Sequence, residues 1–185
     1  MARKNRRQSD RKTAAAEPAR AADVAFSIRN LPKVLHGHAE ALIGALATAL
    51  LAEWPEGEEF AEAEQAGAIG DVLIPPIYNE IATAKIAYLF KEKMGSGERI
   101  DLGKAKRTSG LLAHLTAYDF VLVFNWTAWK ACTPIQRLAL VDHELAHCGR
   151  GDDGQWTILH HEVEEFAGVV RRWGLWTSDL RMSWR

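Results

Sequence analysis

Apolar positions recur at two different periods along this chain, and the switches between them divide it into elements. Between residues 31 and 54, Leu31, Val34, Leu35, Leu42, Ile43, Leu46, Leu50 and Leu51 return near helical spacing. One helix is predicted, with Pro32 in its first turn and Pro55 just beyond its end. Residues 55–70 carry Glu56, Glu58, Glu59, Glu62 and Glu64 and read as a linker or a short exposed helix closed by Gly67 and Gly70. Pro75-Pro76 is expected to break any regular element between Val72 and Tyr78. A helical turn and then a strand from about Lys85 to Lys91 follow, and Gly95-Ser96-Gly97 marks a turn. Ile100 to Thr108 alternates weakly, as a second strand with Gly103 at a turn or bulge. Leu111 to Ala117 suits a short helix or a loop.

Phe120-Val121-Leu122-Val123-Phe124 is a continuous run of β-formers, the pattern of a strand buried on both faces. Thr133-Pro134-Ile135-Gln136 then combines an N-cap threonine, proline at the first helical position and a glutamine able to close a capping box. Leu138, Leu140, Val141 and Leu145 give this helix an apolar flank, and it is expected to end near Cys148-Gly149 with the glycine as left-handed cap. Arg150 to Gln155 reads as a loop. A last helix is predicted from about Ile158 to Trp173, with Gly174 as its cap.

The capped helix carries His143-Glu144-Leu145-Ala146-His147. Residues four apart share a helical face, so His143 and His147 can offer two imidazoles to one metal ion. Glu144 then lies where it can reach a water on that metal. This is the arrangement of a zinc peptidase site, with two histidine ligands and a glutamate base. By contrast, His36 and His38 are two apart and face different sides of their helix.

Composition sets the limits. The chain has 185 residues, 48% hydrophobic and 25% charged, enough for one domain with a real core. A net charge of −1 argues against general nucleic-acid affinity. The charge is uneven, however: Arg3, Lys4, Arg6, Arg7, Arg11 and Lys12 make a basic arm within residues 1–25, which is too polar to fold alone and suited to weak phosphate contact. Two cysteines make no disulfide scaffold, and no signal-like apolar segment opens the chain. Ala39 to Trp54 is too short to span a membrane. The expectation is a cytoplasmic protein of a bacterium or a phage-infected cell.

A catalytic zinc takes three protein ligands and keeps a fourth position for water. The third ligand must come from elsewhere in the chain, and His160-His161-Glu162-Val163-Glu164-Glu165-Phe166, one loop after the motif, is the obvious source. His161 is the first choice, with His160, Glu162 and Glu165 as alternatives. Asp142 or Glu165 could orient a ligand imidazole, His160 or Arg172 could stabilise an oxyanion, and Cys148 reads as a small packed residue.

From about Glu80 to Trp176 the chain resembles the phage metallopeptidase domain family. The matching stretches are Lys85 to Phe90, Gly103-Lys104-Ala105, Tyr118-Asp119-Phe120, Gln136 to Leu140 leading into His143 to Cys148, and His161 to Phe166 leading to Trp173-Gly174-Leu175-Trp176. That family usually has His-Asp where this chain has His161-Glu162. The order of His161 and Phe166 is more distantly similar to SprT-like proteases. The resemblance implies an α+β, zincin-like fold, with a small mixed β-sheet against a metal-binding helix and a C-terminal helix. It further implies Zn2+ on His143, His147 and His161, Glu144 as general base, and a protein or peptide substrate.

Four segments are expected: the arm at 1–25, a helical extension and acidic linker at 26–78, a peptidase-like domain at 79–176 and a tail at 177–185. Two alternatives to a plain peptidase stand beside it. One is a non-catalytic, zinc-stabilised binding or regulatory protein of phage origin. The other is a peptidase recruited to DNA by the basic arm.

Overall fold

The computed structural model describes residues 31–96, 99–161 and 165–177. The basic arm, Glu162 and nearly all of the C-terminal tail lie outside the described residues. The fold is mixed α+β. A four-stranded sheet has the order β1-β2-β6-β5, formed by Ala61–Glu62, Ile86–Lys91, Phe120–Asn125 and Gly103–Arg107. Two short hairpins accompany it: β3 (Gly95–Ser96) with β4 (Arg99–Ile100), and β7 (Cys148–Arg150) with β8 (Trp156–Ile158). The α-helices are α1 (Ala39–Ala47), α2 (Glu64–Ile77), α3 (Gly110–Thr116), α4 (Trp126–Ala131), α5 (Pro134–Ala146) and α6 (Ala167–Trp173).

Strand β6 is the centre, as its unbroken apolar run predicts. It pairs parallel with β2, from Ile86↔Phe120 to Lys91↔Asn125, and antiparallel with β5, from Gly103↔Phe124 to Arg107↔Phe120. Phe120, Leu122 and Phe124 are fully buried on one face. The rings of Trp126 and Trp129 pack on Phe90 at 5.0 and 5.5 Å between centroids, and Trp129 packs on Phe124 at 5.3 Å. Leu138, Val141 and Leu145 of α5 close the same core, which Leu35 and Leu42 join from the N-terminal side.

Four local predictions are corrected. The first helix is a 3-10 segment, Lys33–His38, followed by α1, and it ends at Ala47 rather than Trp54. The Gln65 amide donates to the carbonyls of Leu46 and Thr48 at 2.8 and 3.1 Å, satisfying groups that further helix would have used. Neither Gly67 and Gly70 nor Pro75-Pro76 ends a regular element: all four lie inside α2, the prolines in its last turns. That helix buries Ala66, Ile69 and Leu73, and this packing outweighs the hydrogen bonds the prolines remove. Helix α4 arises where no element was expected: the Asn125 side chain caps it by accepting from the Ala128 N–H at 3.1 Å. The last helix is Ala167–Trp173 and does not begin at Ile158, because Trp156–Ile158 pairs with β7 as strand β8. No helix among the described residues is long and apolar enough to cross a membrane.

Candidate metal centre

Helix α5 begins as its sequence dictates. Thr133 Oγ1 accepts from the Gln136 N–H at 3.3 Å, and Gln136 Oε1 accepts from the Thr133 N–H at 2.9 Å, closing the capping box. The helix ends at Ala146, with His147 as its cap residue in the right-handed region. Gly149 is therefore not the left-handed cap expected of it; it lies in β7, paired with Thr157 of β8. A Cβ there would come within 2.6 Å of the Leu159 side chain, so the glycine lets the hairpin close under Leu159.

That hairpin brings the next segment back over the helix end. His143, His147 and His161 each place a ligand-type nitrogen so that all three lie within 4.8 Å of one another. Their ring centroids are 5.0, 5.3 and 4.9 Å apart in the pairs 143–147, 143–161 and 147–161. His161 sits on irregular chain between β8 and α6, not at a helix start. Phe166 packs its ring against all three imidazoles, at 5.7, 4.8 and 5.2 Å from His143, His147 and His161. His160, its neighbour, is exposed.

Two of the rings have one nitrogen already committed. His143 Nδ1 is hydrogen-bonded to Glu165 Oε1. His147 Nδ1 meets the Leu159 carbonyl at 2.7 Å, where it can only donate. Both bonds leave Nε2 with its lone pair, which is how metal-binding histidines are commonly held. Glu165 is buried and is itself fixed by the Trp176 indole N–H at 3.1 Å and the Phe166 N–H at 2.9 Å. Burial works against its charge, but the His143 contact and these donors outweigh it and hold its pKa below the usual carboxylate range. Burial likewise opposes a charge on His143, yet Glu165 and Glu144 outweigh it and raise its pKa. A site that favours a proton on this ring also favours a metal cation beside it. Three imidazole nitrogens around one point could hold a metal ion and leave a coordination position open.

Glu144 stands against this cluster. It is buried, and its Oε2 has no hydrogen-bond partner among the described residues. Burial pushes its pKa up to about 7, and the charge of Glu165 adds to this; His143 and the Ala105 backbone N–H pull the other way. Gly103 makes the close approach possible. A Cβ at that position would lie 2.3 Å from Glu144 Oε1, so the glycine serves the carboxylate rather than a bulge.

Asp142 and Arg172 face elsewhere. The Asp142 carboxylate is fully buried and accepts from Arg172 Nε at 2.7 Å, Arg172 Nη2 at 3.0 Å, the Tyr78 hydroxyl at 2.8 Å and the Trp173 indole at 2.7 Å. It ties α6 and the end of α2 to α5, and the guanidinium is engaged there rather than beside the histidines. Burial and the Asp142 charge push the Tyr78 phenol far above its ordinary pKa, which keeps it a donor. Cys148 is a buried thiol whose Sγ lies 3.7 Å from the Glu144 carbonyl, and burial raises its pKa.

The family model described as "Putative phage metallopeptidase" matches residues 58–183. The chain belongs to this family. The match is longer at both ends than the resemblance legible in the motifs, and it takes in α2, the whole sheet and the histidine cluster. Membership implies a peptidase and a metal ion, and the three histidines are residues that could hold one. Comparisons with curated proteins and with solved structures gave no match.

Several residues that build the site carried no assigned role beforehand. The Leu159 carbonyl is a backbone group, which no residue type announces. Gly103 and Trp176 lie in family-like stretches, but their contacts with Glu144 and Glu165 are set by the tertiary fold.

Proposed function

We propose that this chain is a zinc-dependent peptidase of zincin-like architecture. His143, His147 and His161 hold the ion, and Glu144 is the general base. The observation that carries the reading is the convergence of three histidines beside a buried, half-unpartnered carboxylate. A bound zinc would supply Lewis acidity, making water acidic and polarising the scissile carbonyl.

The chain's own residues do the rest. Glu144 accepts a proton from the attacking water at its free carboxylate oxygen and passes it to the leaving amine. Burial raises the pKa of this carboxyl, which favours taking up the proton of the attacking water. Glu165 and the Leu159 carbonyl hold the His143 and His147 rings in one tautomer and one orientation. Phe166 limits water around the three imidazoles.

The test is metal-dependent cleavage. Zinc-loaded protein is expected to degrade an unfolded protein substrate, a chelator to stop it, and added zinc to restore it. Tight zinc binding with no cleavage of any protein or peptide library would instead favour the non-catalytic binding protein.

A further inference from the structure

Strand β5 is the edge of the sheet that touches the candidate site. The Leu102 carbonyl accepts from Asn125 N–H at 2.9 Å, and Thr108 N–H donates to the Asp119 carbonyl at 3.0 Å, so residues 102 and 108 turn toward β6. By the alternation of an antiparallel pair, Gly103, Ala105 and Arg107 turn their backbone groups outward. No strand among the described residues pairs with that side; the Ala105 N–H is taken by Glu144, so a chain laid along the edge meets the Gly103 groups and the Ala105 carbonyl. At the Arg107 end, the guanidinium donates to the Trp156 carbonyl at 2.5 Å and closes the edge off.

Side chains alternate across the same strand. Gly103 and Ala105 share the face of Phe124 and Leu122, beside Glu144. Lys104 and Lys106 share the opposite face, over Val123 and Val121, and both are exposed. Lys93 and Lys91 reach the same place from the end of β2, and the four lysines line one open recess of about 240 Å³. Lys91 is paired with Glu59 at 2.8 Å, and Asp101 is the one acidic residue lining the recess. Lys93, Lys104 and Lys106 have no ion pair among the described residues. Edge lysines alone would be explained as a guard against strand-to-strand aggregation. That explanation does not cover Lys93, which comes from outside the edge strand to the same recess.

We infer that this lysine face selects acidic substrates: a peptide paired along β5 presents an acidic-x-acidic segment to Lys104 and Lys106, while the intervening residue faces Glu144. This rests on the peptidase reading of the site. Extended peptides pair with open sheet edges through their backbone and are selected through alternate side chains. Residues directly opposite across a pair are close enough for opposite charges to count.

The experiment uses the zinc-loaded full chain and three matched peptides carrying acidic-x-acidic, glutamine-x-glutamine or lysine-x-lysine. The acidic peptide is expected to have the highest kcat/KM, by roughly three- to thirtyfold over the glutamine peptide, and to lose that advantage in high salt. In Lys104→Glu/Lys106→Glu the order should invert in favour of the lysine peptide. Equal cleavage of all three overturns the inference and leaves the peptidase intact. If none is cleaved and an unfolded protein and a peptide library also stay intact, the peptidase reading fails; whenever none of the three is cleaved, fluorescence anisotropy with the same peptides decides the surface: tighter binding of the acidic peptide keeps it, equal binding overturns it.

Discussion

Glu144→Gln is expected to lower kcat/KM for peptide cleavage by about a hundredfold to ten-thousandfold, the range that loss of a positioned general base gives. Zinc content should stay at the wild-type level, because the proposed ligand nitrogens belong to the three histidines and not to Glu144. Stability should hold or rise. Glu144 is buried with one oxygen unpartnered, and the neutral amide removes the cost of ionising it there. Three readings on one sample check this: steady-state kinetics, metal analysis and a thermal melt. Unchanged cleavage would remove Glu144 from the chemistry. Lost zinc would mean that the carboxylate belongs to the ligand set.

Asp142→Ala is expected to cost the fold about 3–5 kcal/mol, the penalty for breaking a buried pair and stranding its partner. Arg172 and Trp173 would lose their acceptor at once, and Tyr78 would be left with the backbone carbonyl of residue 142 at 2.8 Å. For a chain of this length the melting temperature should fall by roughly 10 °C. Replacing Arg172 with leucine as well should recover part of the loss, since no buried cation is then left alone. Urea titration of the three proteins measures it, and a single variant as stable as wild type would refute the account of Asp142 as the tie between α5, α6 and α2. The effect bears on the site because Asp142 immediately precedes His143 on α5.

Where local chemistry decides an element, the sequence is a good guide. The threonine–proline–glutamine start of α5 and the apolar run of β6 fold as their residues require. The convergence of His161 with His143 and His147 follows from their nearness in the chain, and Glu165 was already a candidate to orient an imidazole. The failures share one cause: tertiary contacts override local pattern. Ile158 to Trp173 has helical spacing, yet its first part is held extended. Ile158 pairs with Cys148, and Leu159 exchanges hydrogen bonds with His147 through both N–H and carbonyl. Two adjacent prolines stay inside α2 because the helix buries a whole face. Gly103 reads as a bulge until Glu144 is seen occupying the space beside it.

X-ray absorption at the zinc edge, with metal stoichiometry, tests the proposed three-histidine zinc site most directly. The wild-type chain is expected to bind one zinc through three imidazole nitrogens and one light-atom ligand, and His161→Ala to lose most of it. Full zinc retention in His161→Ala, or a sulfur in the coordination shell of the wild type, would contradict it.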